Sequence, residues 1–519
     1  MTSRELFEAP AHHEHDRPVD LAMLIGDRWT AATSGRTVTS VDPYTGEPWA
    51  TVPDGGAEDV DAAVACARAA FEGGWGALSG EARGRLLLRL ADLTDLHAPR
   101  LARIESTDNG KVVRETERQI RFAARNYRFF AGLADKIGGE TIPLDDPQLF
   151  DYTIREPLGV AGLIIAWNSP LSLLANKLAP ALATGNAAVV KPSELASISV
   201  IEMARLVLEA GFPPGTVNVV TGGPETGRAL ASHPGLDKLS FTGGDATGEL
   251  IAMEASRTLT PLSLELGGKS PSIVFEDADI PRAVAGALAG IFSAGGQSCV
   301  AGSRLLLQDS IHDRFLEVLA LRASRIRLGD PLDLDTQMGP LASAGQQRRV
   351  LGYIETGRDA GAHVVVGGRQ PPGDDLERGC FVEPTILAGV ANDMRVAREE
   401  IFGPVLSVLR FSDEEEALAV ANDTPFGLAS GVWTMDLARA HRVARRLRAG
   451  TVWVNTYRVS QAQAPFGGVR RSGYGRERGV HAVQEYTRVK NVMIDLSAGG
   501  HDPFADDELP AQVELGVPL

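Results

Sequence analysis

The sequence predicts an α/β protein: a doubly wound parallel sheet with a second α/β domain after it. Three observations carry this reading. From residue 159 onward, short apolar runs alternate with helical stretches in a strand–turn–helix rhythm. Those runs are apolar at consecutive positions rather than alternate ones, as in strands covered on both faces. The 519 residues also exceed what one hydrophobic core usually serves, and the same rhythm continues from about residue 270.

The elements follow in order. Residues 1–21 read as a polar tail. His12, His13 and His15 lie in it, and a metal site there would need a folded frame that the segment does not offer, so no metal is expected. Residues 26–53 alternate short β-prone runs with Gly, Pro and Asp turns, which predicts an edge sheet. Residues 57–75 and 79–106 carry apolar residues at helical spacing, with Ser79 as an N-cap; Cys66, flanked by Ala and Val, is expected in the core. The sheet then begins with "GVAGLIIA". A helix started by Pro170 and ended by Gly185 follows, then "AAVV", a helix over 197–211, "TVNVV", a helix from Pro224 and the strand "KLSF". Such sheets take ligands at the ends of their strands, commonly dinucleotides, although no GxGxxG follows any strand here. The second stretch holds "SPSIVFEDADI", a helix over 309–326, "AHVVVGG" and "GPVLSVLRF". The join falls near Gly267–Gly268, which leaves Glu265 at the end of one domain and Cys299 inside the next.

Composition narrows the function classes. Lys and Arg number 51 against 67 Asp and Glu, a net charge of −16, and no basic cluster stands apart from acidic neighbours. Binding to nucleic acid is not expected. Three widely spaced cysteines, Cys66, Cys299 and Cys380, imply no disulfide framework and fit a reducing cytoplasm. The first residues contain no apolar signal region, and no apolar run reaches membrane-spanning length.

Cys299 lies in "FSAGGQSCVAGSR". A lone cysteine is ordinarily a small buried hydrophobe. A nucleophile would need a partner to manage protons, donors for an oxyanion and an electron acceptor. The segments "AWNSPL", "VVKPSE", "LELGGKSP", "GGQSCVAGSR", "EEIFGPV" and "PFGGVRRSGYGRERG" occur in this order. With them the chain, from about residue 22 to 495, resembles the NAD(P)-dependent aldehyde dehydrogenase family.

The resemblance implies oxidation of an aldehyde to the acid through a thiohemiacetal and a thioester on Cys299, with NAD as acceptor. It implies an oxyanion hole made by the Asn168 amide and the Cys299 N–H, Glu265 as the base for hydrolysis, and Lys177 beside them. The cofactor residues it implies are Trp167, Lys191, Ser193, Glu194, Gly243, Gly244, Leu266, Glu400 and Phe402. The Glu194 carboxylate accepts ribose hydroxyls and repels a 2′-phosphate, which favours NAD over NADP. The pocket implied for the aldehyde is formed by Ser169, Asn176, Ser298, Val300, Arg458, Ser460 and Phe466. Ser169, Asn176 and Ser460 stand where relatives carry aromatics, so bulkier or oxygenated aldehydes are expected unless Phe292 or Tyr457 fills the space. Arg458 is either a carboxylate receiver or a surface residue. Where relatives read Phe-Thr-Gly-Ser-Thr-Glu-Val-Gly, this chain reads "FTGGDATG": Gly244 removes a hydroxyl and Asp245 adds a charge that weakens pyrophosphate binding.

The resemblance further implies a domain division: NAD-binding over 22–139 and 159–266, catalytic over 267–480, an oligomerisation arm over 140–158 and 481–500, and a C-terminal tail over 501–519. A homodimer or homotetramer is expected. Other readings of single residues remain: Asn168 as a cap for the helix at Pro170, Glu265 paired with Lys269, and Lys191 as a solvated strand end. For the whole chain the alternatives are a CoA-acylating dehydrogenase, a cysteine hydrolase with His312 as the histidine nearest in sequence, and a non-catalytic structural member.

Overall fold

The computed structural model describes residues 19–497 and Phe504. The N-terminal histidines and nearly all of the C-terminal tail lie outside the described residues. Chain contacts divide the protein into a large unit, through Lys136 and again over Pro157–Thr487, and a small unit formed by Ile137–Glu156 and the residues from Arg488 onward.

Within the large unit an eight-stranded sheet has five parallel strands at its centre. In spatial order these are Leu262–Glu265, Lys238–Thr242, Val160–Ile165, Ala187–Pro192 and Val217–Val219. Every residue of Val160–Ile165, Lys238–Thr242 and Ala187–Pro192 is buried, which is why these strands read as unbroken runs. From Val160–Ile165 the chain adds strands first on one side, then on the other. The order therefore reverses between Val160–Ile165 and Lys238–Thr242, and the turns after these strands frame a crevice. Met23–Ile25 and Arg28–Thr30 close one edge antiparallel. At the other edge Gly473–Tyr474, which comes from the far end of the chain, pairs antiparallel with Leu264 and Glu265.

The second sheet has seven strands. Thr385–Ala388, Val405–Phe411, Arg304–Gln308, Pro271–Val274, Ala429–Trp433 and Thr451–Val454 run parallel, and His363–Val366 lies antiparallel at one edge. Apolar clusters pack on its strands, one around Val350, Ile354 and Phe411 and the other around Phe315, Leu305 and Trp433. Two expectations for local structure meet different outcomes. Ser79 does cap the helix Gly80–Leu96, its hydroxyl accepting the Ala82 N–H. Cys66 is only half-buried, because its helix face borders a surface hollow beside Gly26 and Gly215. The small unit carries most of a three-stranded sheet of Thr141–Ile142, Leu149–Pro157 and Thr487–Asp495. Among the described residues no helix is long and apolar enough to cross a membrane, and no cluster of ligating side chains suits a metal.

Candidate active site

Cys299 is delivered by a strained turn. The helix Ile280–Phe292 starts on an Asp279 cap and runs into Ser293–Gly296, where Ala294, Gly295 and Gly296 have φ of +54°, +59° and +71°. A side chain at Gly296 is impossible here, since its Cβ would stand 2.0 Å from the Gly403 carbonyl oxygen. The turn is pinned from outside: the Ala294 N–H donates to Glu115 Oε2 at 2.8 Å, and Gln297 Oε1 accepts the Ala342 N–H at 3.0 Å.

Asn168 follows the strand Val160–Ile165, and its Nδ2 donates to the Gln297 carbonyl at 3.0 Å, two residues before Cys299. It is not the cap of the next helix; Ser169 occupies that position and makes no capping bond. The backbone around Asn168 is held by one buried group. Lys111 Nζ donates to the Asn168 carbonyl at 2.9 Å, to Gln119 Oε1 at 2.6 Å and to Ser169 Oγ at 3.2 Å, and it pairs with Glu105 at 2.9 Å. Asn109 Nδ2 donates to the Trp167 carbonyl at 3.0 Å. Residues 105–119 thus grip both the Asn168 loop and, through Glu115, the Cys299 turn.

Glu265 ends the strand Leu262–Glu265, and neither of its buried carboxylate oxygens has a hydrogen-bond partner. Burial, and then the nearby charge of Glu477, raise it well above the usual carboxylate range, while Lys177, Arg476 and Arg478 pull the other way. Lys269 does not pair with it; that ammonium is buried without a hydrogen-bond partner, and burial holds it down at about 7. Lys177 reaches Glu477 Oε1 and Ser240 Oγ rather than the sulfur.

Cys299, Glu265 and Asn168 line one cavity of about 550 Å³, together with Trp167, Gly243, Gly244, Leu266, Glu400 and Phe402. Burial and the carboxylates of Glu400 and Glu265 push the Cys299 thiol up to about 12. Glu400 accepts the Gly268 N–H at 3.0 Å, and burial raises it to about 7. Gly267 makes room for it, since a Cβ there would stand 2.2 Å from Glu400 Oε2. Phe402 meets Trp167 edge to face at 5.2 Å.

A second cavity, of about 440 Å³, contains Lys191, Ser193 and Glu194 and shares Trp167, Gly243, Gly244 and Thr247 with the first. The two share lining residues and form one groove along the strand ends, where sheets of this kind take dinucleotides. Lys191 is buried, not a solvated strand end. Its Nζ donates to the Pro192 carbonyl at 2.9 Å and stands 3.6 Å from Glu194 Oε2. Midway along the groove Gly244 opens the helix Asp245–Ser256. The Asp245 charge does not stand alone: Arg471 Nη2 lies 3.1 Å from its carboxylate and 3.4 Å from that of Glu249.

The residues expected around the aldehyde are not gathered in this groove. Ser169, Asn176, Ser298, Val300, Arg458, Ser460 and Phe466 line neither cavity. Ser298 and Val300 flank Cys299, and Ser460 is exposed. Ser169 belongs to the Lys111 network, and Phe466 pairs through its backbone with Glu477. Arg458 Nη1 donates to the carbonyls of Ser293 at 3.0 Å and Ala289 at 3.3 Å, which ties the side chain to a helix end. Phe292 and Tyr457 are core residues. Asn176 is buried and accepts from Asn126 at 2.8 Å and Arg478 at 3.2 Å. Sequence reasoning missed Lys111, Glu115, Gln119, Arg471 and Arg478. Only Arg471 and Arg478 had a signal, as charges inside a quoted motif. His312 bonds its neighbour Asp313, and no histidine lines the cavity with Cys299.

Residues 29–492 match the aldehyde dehydrogenase family. The (Z)-2-((N-methylformamido)methylene)-5-hydroxybutyrolactone dehydrogenase of Acinetobacter baylyi is 48% identical over 470 residues, 90% of this chain and 95% of that protein. The betaine aldehyde dehydrogenase of Bacillus subtilis is 46% identical over 472 residues, 91% of this chain and 96% of that one. Among solved structures, betaine aldehyde dehydrogenase from Staphylococcus aureus in complex with NAD+ has a TM-score of 0.92 at 40% identity, covering 94% of this chain and 97% of that chain.

Proposed function

Because the chain belongs to the aldehyde dehydrogenase family, we propose that it oxidises an aldehyde to the carboxylic acid with NAD, through a covalent adduct on Cys299. The observation that carries this reading is the approach of Asn168 Nδ2 to the Cys299 turn in a cavity that also contains the unpartnered Glu265 carboxylate. The Cys299 thiol, kept protonated by burial, passes its proton to the Glu265 carboxylate or to water as its sulfur adds to the aldehyde carbon. The Asn168 amide and the Cys299 N–H receive the oxygen that becomes negative. Bound NAD supplies the hydride acceptor that leaves a thioester on Cys299. Glu265, its pKa raised toward the working pH, takes a proton from water as that water attacks the thioester. Lys177 and Glu477 set the charge around Glu265.

The groove fits the cofactor on its own features: a ribose-binding carboxylate at Glu194, backbone N–H groups at the Gly244 helix start, and Glu400 and Phe402 beside Cys299. NADH absorbance at 340 nm with a panel of aldehydes, with and without CoA, tests the reaction. Dependence on CoA, or no NADH at all, overturns it.

Two expected results arise here. Asn168→Ala should cut kcat by about 10²–10³-fold, as loss of one oxyanion donor does elsewhere; steady-state rates check it. The wild type should prefer NAD to NADP in kcat/KM, and Glu194→Gln should narrow the gap, because the repelling carboxylate is gone. Equal use of both cofactors by the wild type counts against Glu194.

The division into an NAD-binding part, a catalytic part and an arm belongs to the same reading, as does a cytoplasmic location. So does a homodimer or homotetramer assembled through the small sheet, where Phe150, Ile154, Val489 and Met493 are exposed. Light scattering on the purified chain decides the assembly state.

A further inference from the structure

Arg478 is an arginine that the reaction above does not use. Its backbone sits at φ +60°, and its guanidinium lies over two rings, 4.6 Å from the centroid of Phe466 and 5.4 Å from that of Phe122. Its Nε donates to Asn176 Oδ1 at 3.2 Å, and Asn176 is itself fixed by Asn126. Two rings and one amide therefore hold the guanidinium plane in place. Among the described residues no carboxylate lies within ion-pair distance of it: Glu477, its neighbour in the chain, is committed to Lys177. The residue is half-buried, and among the described residues its terminal nitrogens make no hydrogen bond. Gly467, the residue after Phe466, packs so closely on the base that a Cβ there would stand 2.8 Å from Glu265 Oε1, which sets the Phe466–Arg478 pair on the Glu265 side of the site. Burial lowers the proton affinity of Arg478, but a guanidinium stays charged at any working pH.

A clamped guanidinium with a free donor edge, on the Glu265 side of the site, is a receiver for a planar anion. From this geometry we infer that Arg478 selects aldehydes bearing a carboxylate at the end away from the reacting carbon, the carboxylate taking the Nη donors while the aldehyde carbon meets Cys299. The inference rests on the proposed aldehyde oxidation and names its substrate class. A different role for the same residue is electrostatic support of the sulfur or of the oxyanion, which would help every aldehyde alike.

The experiment compares kcat/KM for two matched pairs, succinic semialdehyde against butanal and 4-carboxybenzaldehyde against benzaldehyde, in the wild type, Arg478→Gln and Arg478→Lys. The expected wild-type result is a preference of at least about tenfold for the carboxylate-bearing member of one or both pairs, expressed mainly in KM. Arg478→Gln should reduce that preference at least about tenfold, and Arg478→Lys should restore part of it, because the charge returns without the fork. Absence of a preference in the wild type overturns the inference. So does a preference that survives in Arg478→Gln, and so does an equal proportional loss on both members of a pair, which would assign Arg478 to the sulfur. If no aldehyde reduces NAD, the underlying reaction has failed instead. Calorimetric binding of succinate and of 4-carboxybenzoate to the wild type and Arg478→Gln then decides the anion site, with weaker binding to the variant expected and equal binding overturning it.

Discussion

Cys299→Ala is expected to lower aldehyde oxidation by roughly 10⁴–10⁶-fold, the scale on which enzymes lose rate when a covalent nucleophile is removed. The methyl group of alanine occupies part of the same space without a lone pair to offer, and Gln297, Asn168 and Gly296 keep their backbone positions. Binding of NAD should change little, because the groove is shaped by Lys191, Glu194, Gly243 and Glu400 as well. Fluorescence of Trp167, which lines both cavities, gives the binding readout. Residual turnover above about one per cent of wild type rules Cys299 out as the nucleophile.

Glu265→Gln should separate the two halves of the reaction. Hydride transfer needs no base, and without Glu265 the thiol proton passes to water, so one equivalent of NADH per site should still appear ahead of steady turnover. Hydrolysis then proceeds without a base, and steady turnover falls by about 10²–10⁴-fold. The pH dependence has a fixed sign. Glu265 acts when ionised, and its pKa is raised, so wild-type turnover climbs with pH through that raised value and then levels off. The variant loses this rise. Folding offers a control: the carboxylate is buried with no hydrogen bond, so replacing it with a neutral amide removes a desolvated charge and should not lower the thermal midpoint. A stopped-flow trace without a burst, or a variant that keeps the wild-type pH profile, sinks the role assigned to Glu265.

How much of this was legible beforehand depends on the kind of information each residue carries. The parallel strands were readable because burial on both faces leaves an unbroken apolar run, as in Val160–Ile165. Cys299 and Glu265 were readable because each stands in a short motif beside a glycine that close packing demands, Gly296 against the Gly403 carbonyl and Gly267 against Glu400. Lys111 was not: its partners at 119, 168 and 169 meet it only once the helices pack. Arg458 was legible only as a loop charge, either a carboxylate receiver or a surface residue; that its Nη1 meets the carbonyls of Ala289 and Ser293 depends on the packing of a distant helix. The worry over Asp245 had a similar resolution, with the compensating Arg471 lying far along the sequence.

The short strand Gly473–Tyr474 bears on how ligands come and go. It extends the first sheet beside Leu264 and Glu265, and its neighbour Ser472 accepts the Leu266 N–H, donates to the Gly267 carbonyl and receives the Gly427 N–H from the second sheet's side. This segment is thus stitched across the rim of the groove. A clamshell motion that parted the two sheets here would have to break the bonds that tie Val469, Arg471 and Ser472 to Pro425 and Gly427. On the proposed reaction, exchange of NAD and acid would then fall to side chains and local loops, motions of nanoseconds to microseconds rather than the slower swing of whole domains. A sluggish phase in turnover would then report on bond making and breaking at the sulfur, not on the doorway.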